Sequence, residues 1–153
     1  MKARNLILTA ALCFIGTAVC FAENPNMGTW KLNTAKSQIP AGLPTNSTVV
    51  YVAVGDQIKV TTDGTDKDGK PTHTEWVGKW DGKPYPLTGD ASADSRSYKM
   101  SGTTLTFSNT KDGKVVMTGH IVVSPDGKTR TLHATATDAS GKKVSGTQVF
   151  DKQ

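Results

Sequence analysis

The side chains best suited to proton transfer or metal ligation are three histidines, His73, His120 and His133, each in a different run of strand-like residues. None has a second histidine at the short spacing that makes a metal pair, so the sequence predicts no metal site. His73 and Glu75 share a face of their run and have the types of an acid–base pair. They alternate opposite to Trp76, which puts them on the solvent side. The segment Gly64-Thr65-Asp66-Lys67-Asp68-Gly69 through Glu75 partly follows calcium-loop spacing. However, Gly64 holds the first ligand position, Pro71 interrupts the segment, and strand-like runs flank it, so hairpin turns account for its acids. No Gly-x-Ser-x-Gly elbow occurs, and Ser37, Ser92 and Ser124 stand beside no base. The glycines come singly rather than ahead of a helix, so no phosphate cradle forms. The expectation is a chain with no catalytic role and no cofactor.

A different chemistry is carried by the aromatic residues. Thr72, Thr74, Trp76, Gly78 and Trp80 fall on one side of their run, and Tyr85, Tyr98, Met100, Leu105 and Phe107 are placed to meet them inside. A pocket lined by Trp76, Trp80, Tyr85 and Tyr98, with Arg96 as its polar group, suits a small apolar ligand. The competing expectation is a filled interior, because a narrow barrel has room only for side chains or for one small molecule.

The elements that must position these residues are read from the whole chain. Lys2 and Arg4 precede an apolar run from Leu6 to Phe21, and Cys20-Phe21-Ala22 offers a small-x-small cleavage site, the pattern of a secretory signal. The run is shorter than the roughly 20 residues of a spanning helix and is followed by Glu23-Asn24-Pro25-Asn26 rather than a basic stop. Residues 1–22 are thus expected to be removed, leaving residues 23–153 as one periplasmic or secreted domain with no integral membrane segment. Both cysteines, Cys13 and Cys20, lie in the signal, so the mature domain has no disulfide and no thiolate site. Once Lys2 and Arg4 are gone, 16 of the 18 basic residues face 13 acidic ones, a net of +3. The charges are interleaved and form no stripe, which excludes a nucleic-acid partner.

Turn dipeptides recur through the mature chain at Asp63-Gly64, Asp68-Gly69, Asp81-Gly82, Asp112-Gly113, Asp126-Gly127 and Ser140-Gly141. Between them lie runs rich in Val, Thr, Ile and Tyr that alternate with period two, as half-buried strands do. Strands are predicted over 28–33, 48–54, 57–63, 72–80, 95–100, 103–110, 114–124, 129–137 and 142–150. Leu132, Ala134 and Ala136 should face inward, as should Val115, Met117, Gly119, Ile121 and Val123. Helix should be nearly absent. The fold class is all-β, an antiparallel meander closing into a barrel of about 8–10 strands, because closure removes the exposed edges. A two-sheet sandwich is the alternative. Residues 38–46, with Pro40, Gly42 and Pro44, read as a loop placed to cover a barrel end.

Gly28-Thr29-Trp30 on the first strand resembles the Gly-x-Trp signature of lipocalins. The strings Asn26-Met27-Gly28-Thr29-Trp30-Lys31-Leu32-Asn33, Ala35-Lys36-Ser37, Glu75-Trp76-Val77-Gly78-Lys79-Trp80-Asp81-Gly82-Lys83 and Val149-Phe150-Asp151-Lys152-Gln153 are similar to a lipocalin-like family of uncharacterised secreted bacterial proteins. The resemblance implies a barrel and no particular activity. It also implies a barrel-closing stack of an arginine on Trp30. Arg130 is in phase with Leu132 and Ala134 and fits that role, with Lys152 a poorer substitute. The functional expectation is a lipocalin-like binding module holding a small apolar ligand. Its alternatives are a structural or interaction protein with a solid core, working through loops or strand edges, and an enzyme at the barrel mouth.

Overall fold

The computed structural model describes residues 24–137 and 140–153, so the expected signal and its cleavage site lie outside the described residues. Within them ten strands follow one another: β1 (Gly28–Leu32), β2 (Thr45–Val54), β3 (Gln57–Thr65), β4 (Pro71–Gly78), β5 (Asp81–Thr88), β6 (Ser95–Ser101), β7 (Thr104–Lys111), β8 (Lys114–Val123), β9 (Thr129–Thr137) and β10 (Lys143–Lys152). A single turn of 3₁₀ helix, Thr34–Lys36, follows β1. Every strand pairs antiparallel with its neighbours in sequence, and β1 closes the ring by pairing with both β2 and β10. The fold is the closed meander barrel; the sandwich is set aside.

Local chemistry explains the meander. At the β7–β8 turn Asp112 and Gly113 both have positive φ, 49° and 75°. Those are the angles of the hairpin turn whose twist matches its flanking strands, and Asp-Gly satisfies them at little cost. Alternation then sorts the side chains. In β9, Arg130, Leu132 and Ala134 are buried while His133 between them is exposed. The inward set, including Trp30, Val49, Tyr51, Ile58, Val60, Trp76, Tyr98, Leu105, Ile121 and Phe150, forms one hydrophobic core.

The structure departs from the expected elements in four places. A tenth strand, β5, contains Pro84 and Pro86, which mask it in a sequence reading. Both prolines are exposed, and β5 meets β4 through only two pairs, Glu75↔Thr88 and Trp76↔Leu87. Missing amide protons are therefore tolerated along this seam. Second, β4 ends at Gly78, so Trp80 lies in the turn before β5. Third, the β7–β8 register shifts between Asn109 and Thr110, and the bulge turns Val115 outward to 56 % exposure while Val116 packs against the core. Fourth, β2 starts at Thr45, inside the expected loop. The preceding segment still packs on β10, with buried Leu43 and exposed Pro40 against Gly146. Gln148 holds the segment by donating to the Pro44 carbonyl at 2.9 Å and accepting from the Asn46 amide at 2.9 Å.

Candidate functional site

The inward alternation of β2, β4, β6, β9 and β10 brings a string of aromatic rings and two guanidinium groups into the barrel. Trp30 is fully buried, and its indole N–H donates to the Asn26 carbonyl at 2.8 Å, tying the entering chain beneath β1. The Arg130 guanidinium lies 5.3 Å from the Trp30 ring, 5.1 Å from Tyr51 and 4.6 Å from Phe150. Lys152 approaches Trp30 as well, with its ammonium 5.1 Å from the ring. Trp30 thus meets both cations named for it.

The four aromatics expected to line a pocket meet as follows. Trp76 and Tyr98 are edge-to-face at 4.9 Å, Trp76 and Tyr85 at 5.7 Å, and Tyr98 contacts Phe107 at 6.2 Å. Tyr85 lies against Gly78, where a β-carbon would come within 2.5–2.7 Å of the Tyr85 and Trp76 rings, so only glycine admits this contact. Trp80, beyond the strand, packs its ring edge-to-face on Tyr51 at 6.3 Å. Tyr51, in turn, is 6.5 Å from Tyr98. These rings contact one another, and a cavity of about 740 Å³ opens on the outer wall, around His120 and His133.

Arg96 also points inward. Its Nε donates to Asn109 Oδ1 at 2.7 Å, its Nη1 lies 3.3 Å from the Tyr98 hydroxyl, and it stands over the Tyr98 and Phe107 rings at 5.7 and 5.8 Å. The Trp76 indole donates to the Arg96 carbonyl at 2.8 Å, fixing strand and ring together. Trp30, Arg130, Tyr51, Tyr98 and Arg96 therefore form a continuous line of aromatic and cationic groups.

The electrostatics of this line are one-sided. The buried polar and charged residues are Asn26, Thr62, Thr74, Asn109, Arg130 and Gln148, with no carboxylate among them. Among the described residues neither Arg96 nor Arg130 has an ion-pair partner. Arg130 Nε and Nη1 and the Trp80 indole nitrogen are buried without a hydrogen-bond acceptor. Burial pushes the Tyr51 hydroxyl above the usual tyrosine range; neighbouring Tyr98 adds to this and Arg130 opposes it. Burial, and then a hydrogen bond to Asp81 at 3.1 Å, also raises Tyr85.

The acid–base candidates lie elsewhere. His73 Nδ1 is 2.6 Å from Asp63 and its Nε2 3.9 Å from Glu75, which pairs with Lys59 at 2.6 Å, all on the exposed outer wall. In the calcium-like segment Asp66 Oδ1 accepts the amides of Asp68 and Lys70 and closes a hairpin turn. Tyr51, Phe150 and Asn109 were not singled out from sequence. Their inward phase on β2, β10 and β7 is readable, but which interior residues each would touch depends on closure.

No protein-family model matches this chain, and no curated protein matches it. Among solved structures it is similar to a redesigned β-barrel, mFAP1, bound to DFHBI. The identity is 14 %, over 84 % of this chain and 95 % of that one, with a TM-score of 0.45.

Proposed function

We propose that this chain is an exported, non-catalytic, lipocalin-like binding module whose barrel takes a small ligand with an apolar or aromatic body and an anionic end. The reading rests on one observation: among the described residues two arginines face the interior, no carboxylate is buried beside them, and Arg130 Nε and Nη1 lack an acceptor. Withdrawing a guanidinium from water costs several kcal/mol, and unpaired donors add to that cost. Three neighbouring rings offset part of it through cation–π attraction, at roughly 0.5–2 kcal/mol each. A carboxylate or sulfonate would supply the missing acceptor and charge. Its apolar body would lie among Trp76, Trp80, Tyr85 and Tyr98, with Arg96 as a second cation, and its entry requires these contacting rings to part. Trp80 and Tyr85 are only partly buried and flank the weakly laddered β4–β5 seam, which makes that seam the route of entry. Export to the periplasm or the exterior, with cleavage near Ala22, is supported by the basic start and apolar run of residues 1–22.

A matched pair of probes tests this. Anilinonaphthalene sulfonate and its uncharged analogue N-phenyl-naphthylamine share a ring system and differ in the anionic group. The sulfonate is expected to bind tighter by roughly tenfold or more and to quench tryptophan emission, since a charged hydrogen bond is worth about 1.5–3 kcal/mol. Arg130→Met should erase the difference. Equal binding of both probes, or uptake of neither, would overturn the proposal, and uptake of neither would favour a solid-core protein working through its outer wall.

A further inference from the structure

The outer wall holds a feature that the interior reading does not use. His120 on β8 stands directly opposite His133 on β9, and their imidazoles stack with centroids 4.7 Å apart and planes 27° from parallel. The register extends this row in both directions, with Thr106 opposite His120 on β7 and Thr147 opposite His133 on β10. The Thr147 hydroxyl lies 3.1 Å from His133 Nδ1. Beside the row, residues 38–40 run along β10, held by a bridge between Gln38 and Thr147, and form one wall of the 740 Å³ cavity. Among the described residues no lysine, arginine, aspartate or glutamate lines that cavity, although 20 % of the chain is charged.

We propose that His120 and His133 together bind a divalent transition-metal ion of the zinc or copper class. An ion at about 2.0–2.1 Å from each ligating nitrogen requires the two nitrogens to lie within about 4.2 Å of one another. Stacked rings point their nitrogen lone pairs side by side, so both imidazoles must turn about χ2, a soft torsion in histidine, to converge on one ion. Thr147 occupies Nδ1 of His133 and so turns Nε2 toward the metal, in the way that outer hydrogen-bond partners orient ligating histidines. The absence of carboxylates from the cavity disfavours calcium and magnesium, which take oxygen ligands, whereas imidazole pairs suit zinc, copper and nickel. Water completes the coordination, and the cavity leaves space for it.

The test is a zinc chloride titration of the chain, purified without a histidine tag, followed by calorimetry and by the imidazole NMR signals. One zinc per chain is expected, with shifts confined to His120 and His133. His120→Gln and His133→Gln should each weaken binding by roughly tenfold or more, and Thr147→Val should weaken it less at unchanged stoichiometry. His73→Gln, on β4, should leave it unaltered. Both ligands are exposed, so the variants keep the fold, and an unchanged backbone spectrum verifies this. Zinc binding that survives in the double variant, shifts centred on His73, or no binding at millimolar zinc would overturn the assignment.

Discussion

Arg130 sets a test of purpose at the scale of one side chain. If a buried guanidinium served only stability, removing it would be costly in every form. The balance described above points the other way: desolvation and two unpaired donors weigh against three aromatic contacts. Arg130→Met, which keeps much of the volume and removes the charge, is expected to unfold in urea at least as late as the parent, within about 1 kcal/mol or on the stable side. Arg130→Ala, which leaves a hole between Trp30, Tyr51 and Phe150, should lose about 2–4 kcal/mol. A large loss in Arg130→Met would mean that the cation holds the barrel closed. Trp30 adds to the contrast, since its indole proton is satisfied by Asn26 while that of Trp80 is not. Of the two tryptophans, Trp80 is the one able to take a ligand acceptor without losing an existing bond.

Among the elements, β5 differs in kind. The other ladders of the barrel carry from three to nine residue pairs, whereas β4 and β5 share two. Few cross-strand bonds and two exposed prolines make this the seam at which the ring opens with least free energy. Hydrogen exchange should therefore show amides of Gly82 and Lys83 exchanging well before those of Leu105, Phe107 and Ile121 in the β7–β8 ladder. Uniform protection around the ring would rule the seam out as an entry. The same strand shows why elements were partly hidden in the sequence. Alternation of Val, Thr and aromatic residues marks nine strands, but prolines read as breakers unless the missing amide proton is known to face a gap. The bulge at Asn109 and Thr110 reversed the phase of Val115 for a related reason: one extra residue shifts every side chain after it to the other face.

For the whole molecule, charge distribution predicts the pH range of stability. Backbone amides of Lys70 and Lys83 hold the carboxyls of Asp66 and Asp81 below the usual range, as the Ser124 hydroxyl does for Asp126. Lys59 and Lys79 do the same for Glu75 and Asp56. Each of these groups is protonated more readily in the unfolded chain, so its contribution is present above the ordinary carboxylate pKa of about 4 and is lost as pH falls below it. Tyr51 acts in the opposite sense, retaining its proton in the fold where an unfolded tyrosine releases it. Stability should thus be level near neutral pH, decline below about 4 and decline again above about 10. Thermal unfolding across that range, with tyrosinate absorbance read at the alkaline end, checks both limbs. A tyrosinate signal from all tyrosines before any unfolding would contradict the alkaline one.

The amino-acid sequence by itself determined the class of fold and the inward or outward side of most residues. Turn dipeptides and period-two alternation are local properties, and hairpins are local structures. Trp76, Tyr98 and Arg130 could be placed inside on that basis, and His73 outside. What only the tertiary structure decided is which distant residues share a neighbourhood. His120 and His133 look unrelated along the chain until the β8–β9 register sets them face to face. Arg130 gains Trp30 and Tyr51 only when β1 joins β10 to β2. The physical reason is that alternation specifies a face with two outcomes per residue, whereas contact across a barrel depends on register and closure, which are properties of all ten strands together.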